Sequence, residues 1–171
     1  MGVLIRRLSS RSPSRTLPTR GREYKILNME KVVTRHFGQK NSHRLENYLK
    51  DNGYEAARKV LTQMTGPQVI DEVKRSNLRG LGGAGFPVGI KWSFIPQSNP
   101  KPKYLVINGD EGEPGTFKDR YILEQDPHAL LEGAIITCYA IGSHKAYIYI
   151  RGEYVKSIEI MRGAVDEAYK A

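Results

Sequence analysis

The sequence predicts an α/β fold in which two parallel strands are joined through a crossover helix and preceded by short helices and a basic N-terminal tail. Three observations carry this. Residues 103–108 (KYLVIN) are a short apolar run between prolines and an acidic, glycine-rich stretch, the pattern of a strand buried on both faces. Residues 145–151 (KAYIYIR) are a second such run. Between them Asp126-Pro127 opens a helical pattern, with Leu130, Leu131, Ala134, Ile135 and Cys138 inward and Gly142 at its end. Strand, helix, strand in that order is a βαβ unit, and a right-handed crossover makes its strands parallel.

The remaining elements follow in chain order. Residues 1–28 are rich in Arg, Ser and Pro, carry no acid before Glu23 and have little apolar surface to bury, so the expectation is a disordered tail. An acid-poor mitochondrial presequence, a polar linker and an upstream extension ahead of a start at Met29 are the three readings of it. Foldable sequence begins at residue 29. From Ser42 the spacing turns helical, with Leu45, Tyr48 and Leu49 on one face; Gly53 interrupts, and Ala56, Ala57, Val60 and Leu61 resume it. Thr65-Gly66-Pro67 is a cap followed by proline in the first turn, and Val69, Ile70 and Val73 then line a third helix that runs until Asn77. The last helix sets Val155, Ile158, Met161 and Val165 on its apolar side and reaches Ala171 with no stop signal, so the chain is expected to end in mid-element.

Composition narrows the function. With 171 residues, 39% hydrophobic and 26% charged, the chain suits one domain and a tail rather than a large multidomain enzyme or a wholly disordered polymer. The longest apolar run, Ala129 to Ile141, is broken by Glu132 and falls short of the roughly 18 residues that cross a bilayer. One cysteine, Cys138, cannot form an internal disulfide or a four-cysteine iron–sulfur or zinc site, and it reads as a small residue on an apolar helix face. The net charge of +9 is concentrated in the tail. Residues 1–28 hold seven basic residues against Glu23, which is +6 and leaves +3 for the rest. A nucleic-acid binder spreads Lys and Arg over a folded face, so this distribution argues against that function.

Two stretches carry chemistry. Gly80 to Gly89 (GLGGAGFPVG) contains G-x-G-x-x-G at Gly80, Gly82 and Gly85, but a helix precedes it, unlike a Rossmann fingerprint. Its glycines would let a flat or phosphorylated ligand touch backbone, and Lys91 could reach a phosphate; a plain surface loop with a solvated lysine is the alternative. Phe86, Trp92 and Phe94 are either core or stacking groups. The second stretch, Asn108 to Asp119 (NGDEGEPGTFKD), leaves the C-terminal end of the first strand, where open α/β sheets bind ligands, so Asn108, Asp110, Glu111 and Glu113 would converge on a crevice. Three acids in four residues suit ribose or amide contacts, a divalent-cation loop or a solvated turn. His128, just inside a helix start, reads as structural.

Taken together, Gly80 to Phe94 (GLGGAGFPVGIKWSF), Asn108 to Arg120 (NGDEGEPGTFKDR) and Tyr147 to Tyr154 (YIYIRGEY) resemble the NADH-binding flavoprotein subunit of respiratory complex I, from about Arg44 onward. The resemblance implies an α/β, Rossmann-like FMN/NADH-binding domain over residues 29–171, incomplete because the family's second flavin segment, ubiquitin-like domain and four-cysteine helical domain would lie beyond Ala171. It implies NADH dehydrogenase chemistry, with hydride passing from NADH to FMN and electrons then moving to iron–sulfur clusters and quinone. Gly80, Gly82, Gly83 and Gly85 would give backbone contacts to flavin and nucleotide, and Lys91, Asn108 and Asp110 would hold FMN. Glu111 would lie by the nicotinamide, Glu113 near a ribose, and Phe86 and Phe94 around the adenine. No side chain need be catalytic. The family's 4Fe–4S cluster would not be ligated by this chain, and the implied partners are NADH and other peripheral-arm subunits, especially the 2Fe–2S subunit. The location would be the cytoplasmic face of a bacterial inner membrane or the matrix face of the mitochondrial one. Leu81 stands where the family usually has arginine. A flavin subunit of an NAD-linked formate dehydrogenase or hydrogenase, and a non-catalytic nucleotide-binding fragment, are the alternatives.

Overall fold

A computed structural model describes residues 31–96 and 98–171; the expectations for the tail and for Met29 lie outside them. Helices α1 (Leu45–Lys50), α2 (Glu55–Gln63) and α3 (Gly66–Arg75) lead into α4 (Val88–Ser93), strand β1 (Leu105–Gly109), α5 (Lys118–Gln125), α6 (Pro127–Ile141), β2 (Ala146–Ile150) and α7 (Val155–Lys170). The three leading helices occur where the spacing places them. The Thr65 amide donates to Gln68 Oε1 at 2.8 Å and holds the start of α3, which ends two residues before Asn77, a residue in left-handed backbone.

Strands β1 and β2 pair in parallel with Leu105 opposite Ala146 and Gly109 opposite Ile150, as the βαβ reading requires. The expectation that β1 is buried on both faces is corrected. Ile148 and Ile150 pack on a cluster of Leu123, Leu131, Met161 and Ala164. Tyr104, Val106, Tyr147 and Tyr149, which alternate with them along the paired strands, are exposed, because among the described residues the helices cover one face only. A second cluster, Val60, Val69, Ile70 and Ala140 with Met64, Trp92 and Ile136, joins α2, α3 and α4 to α6, and places Trp92 in the core. Ile135 and Val155, expected inward, face solvent; the buried stripe of α7 is Ser157, Met161 and Ala164.

Glu132, which breaks the apolar run of α6, is itself buried and receives Tyr48 Oη–H, the Tyr54 amide at 3.1 Å and the Ala57 amide at 3.0 Å. Burial, followed by the Glu132 contact, pushes the Tyr48 phenol far up; burial raises that of Tyr54 to about 12. His128 is fully buried between Tyr54 Oη at 3.0 Å and Glu167 at 3.4 Å, and burial lowers its basicity, as befits a structural imidazole. His36, also buried, lies 2.7 Å from Asp126 and 3.2 Å from Asp51, while the Gly38 amide donates to Gln125 Oε1 at 2.7 Å. These bonds tie residues 36–57 to α5 and α6, and the Leu45 amide, donating to Glu167 at 2.8 Å, ties them to α7. Cys138 is half-buried, and burial raises its thiol.

Candidate functional site

The glycine-rich stretch is a loop closed at its neck. An antiparallel bridge pairs Arg79 with Pro87, the Gly80 amide donates to Phe86 O at 3.0 Å and the Val88 amide to Leu78 O at 2.8 Å. Between these ties Gly83 and Gly85 take φ of +122° and +63°, backbone that L side chains rarely adopt, and Arg79 Nη1 donates to Gly85 O at 3.2 Å. Nothing lies within 4 Å of a Cβ placed at Gly82, Gly83 or Gly85. The loop therefore offers bare backbone beside open space. At Gly89 the need is different: a Cβ would stand 2.5 Å from the Lys74 amide nitrogen, so α4 packs on the backbone of α3 and carries Lys91, exposed, from a fixed base. Phe86 and Phe94 contact each other with ring centres 6.2 Å apart, and both are exposed, as is Leu81.

The acidic loop leaves the C-terminal end of β1. Asn108 Oδ1 accepts the Asp110 amide at 2.9 Å, folding the chain back on itself, and Glu113 O accepts the Thr116 amide at 3.2 Å and its hydroxyl at 2.6 Å. Asn108, Asp110 and Glu113 are exposed. Glu111 differs: it is 7% exposed and turns to the start of α5, accepting the Asp119 amide at 2.9 Å and the Arg120 amide at 3.3 Å. Burial opposes its ionisation, but these amides outweigh burial and hold its carboxyl below the usual glutamate range. Its side chain serves the start of α5.

The loop after β2 reaches the same end of the sheet. Arg151 Nη1 donates to Glu111 O at 3.2 Å while Nε and Nη2 grip Glu153 at 3.0 and 3.2 Å. Tyr154 Oη lies 3.3 Å from Glu111 O and 3.4 Å from its carboxylate, and the Arg120 guanidinium sits over the Tyr154 ring at 4.5 Å. Sequence reasoning misses Arg120, Arg151 and Tyr154. Their signal is topological, since parallel strands deliver both exit loops to one edge. Among the described residues no group of His, Cys, Asp or Glu is arranged to hold a metal ion, and no helix is long and apolar enough to cross a membrane.

Residues 73–171, which include both loops, match the family described as the Nuo51 FMN-binding domain. The chain belongs to that family. It is 53% identical over 141 residues to the second F-type subunit of the NADH-quinone oxidoreductase of Rhizobium meliloti (strain 1021), covering 82% of this chain and 34% of the relative. It is 57% identical over 128 residues to the F-type subunit of the Aquifex aeolicus (strain VF5) NADH-quinone oxidoreductase, covering 75% and 30%. The chain thus spans about a third of the length of these curated relatives. An NAD+-reducing [NiFe]-hydrogenase in its air-oxidised state superposes with a TM-score of 0.61 at 38% identity over 75% of this chain and 23% of the solved one. For a Nuo51 FMN-binding domain the glycine loop fits the flavin nucleotide on its own geometry: the space a Cβ would take is open at three glycines, and a fixed helix carries a cation nearby in sequence.

Proposed function

We propose that this chain forms one wall of the FMN- and NADH-binding crevice of an NADH-quinone oxidoreductase flavoprotein subunit. The observation that carries the reading is the bare backbone of Gly82, Gly83 and Gly85, where an added Cβ would meet nothing, within the family-matched segment. Lys91 would bind the phosphate, and Asn108 and Asp110 would orient the flavin from the strand end, with Glu113 at a ribose and Phe86 and Phe94 beside the adenine. FMN, when bound, supplies the redox chemistry, taking a hydride from NADH and releasing electrons singly towards iron–sulfur clusters and quinone. The chain's residues contribute position and exclusion of water, not a nucleophile. Glu111 would lie by the nicotinamide while its carboxylate fixes the loop shape. Residues 29–171 would be one part of a longer flavin domain. Cluster ligands would come from the rest of the relatives' length, the partners would be NADH and a 2Fe–2S subunit, and the protein would sit peripherally on a bacterial inner membrane or the mitochondrial one. The likeness to NAD+-reducing hydrogenase favours a second reading, a diaphorase subunit with the same chemistry and other partners, which the identity of co-purifying subunits separates.

Gly82→Val tests the site apart from the fold. Its Cβ meets nothing and its φ lies outside the left-handed range, so the variant should keep wild-type circular dichroism and melting while FMN uptake, followed by fluorescence quenching, is lost. Equal FMN uptake by both proteins removes the glycine loop from the flavin site.

A further inference from the structure

We infer that Arg151 is a positioning residue for the acidic loop, supplying the cation around which that loop is folded. This rests on the proposed flavin site and extends it to a residue on the other strand. The loop places Asp110, Glu111 and Glu113 within four residues, a crowd of like charge that must be relieved by an ion, by hydrogen bonds or by dispersal. Glu111 is relieved by the amides at the start of α5. The guanidinium of Arg151 meets the loop at its backbone and in the field of Asp110. It donates to Glu111 O, lies 3.5 Å from where a Gly112 Cβ would stand, and has the Asp110 carboxylate in its field.

Glu153 grips the remaining face of the guanidinium through two further bonds, which fixes its plane and directs Nη1 at the loop. An ammonium on a flexible stem has no such fork. Arg151 itself follows directly on β2, and its amide closes on Gly109 O at 3.4 Å, so the cation is referenced to the sheet rather than to the loop it organises. A cation carried by the chain thus holds the Glu111 carbonyl, and with it the backbone on which Asp110 is presented, in one arrangement.

The test compares the full chain with Arg151→Met and Arg151→Lys by amide hydrogen exchange and by FMN titration. Arg151→Met should speed exchange across residues 110–116 and at the Asp119 and Arg120 amides about tenfold, the loss expected for one charge-assisted hydrogen bond, with β1–β2 amides unchanged and FMN affinity reduced in step. Unchanged loop exchange overturns the inference. So does lost FMN affinity with unchanged exchange, which would make Arg151 a direct ligand contact. Should Arg151→Met fail to fold, Arg151→Lys decides: faster exchange confined to the loop supports the role and wild-type exchange refutes it. Where the wild-type chain, as one wall of the crevice, takes up no FMN, the exchange comparison alone decides Arg151, and the flavin reading is decided separately by the Gly82→Val comparison in a full-length subunit.

Discussion

Glu111, the acid that the resemblance sets by the nicotinamide, also has a local task. Its carboxylate caps α5 from seven residues ahead, accepting two amides that would otherwise lack partners. Glu111→Ala should therefore cost about 1–2 kcal/mol of stability, as loss of a helix cap does, measured by urea unfolding. The pH dependence has a definite sign. A carboxyl held below its unfolded value contributes stability that is present above that value and lost as pH falls through the folded one. Melting temperatures of the wild type should thus fall on acidification below about pH 4, and Glu111→Gln should flatten that fall; parallel acid profiles would remove the cap from the account.

Between elements, the strongest polar tie is Glu132 on α6, which receives donors from α1, from the turn after it and from α2. Glu132→Ala strands three donors, two of them buried, and should destabilise by about 3 kcal/mol, read as a shifted denaturant midpoint, whereas loss of a surface carboxylate would cost about a few tenths. The patterned elements are legible in the sequence: α2, α3, α6 and β2 stand where spacing and caps place them. Helices α4 and α5 are not. Each is short, and α5 owes its start to a carboxylate in another segment, which no periodicity records. The burial of Glu132 is likewise illegible, because a lone acid in an apolar run reads as an interruption until its donors from other helices are in place. In the site, the glycine and acidic loops can be read from composition, while Arg151 and Tyr154 reach the acidic loop only through the parallel pairing of strands 36 residues apart in the chain.

For the molecule as a whole, the open face of the sheet is the dominant surface feature. Tyr104, Val106, Tyr147 and Tyr149 make one apolar patch across both strands, of the kind that soluble chains usually cover. The chain purified alone should therefore bind a hydrophobic dye and self-associate as its concentration rises. Val106→Lys with Tyr149→Glu should suppress both without changing circular dichroism; sedimentation velocity that is independent of concentration in the wild type would contradict this.

The placement of Arg151 also orders events during synthesis. Gly109 must wait for Ile150, its pairing partner, and the acidic loop must wait one residue longer for its guanidinium. A nascent chain halted before that point carries the glycine loop and three crowded carboxylates but not the group that reconciles them. On the proposed flavin site, capture would then be a late event, gated by translation of the second strand rather than by the appearance of the two loops.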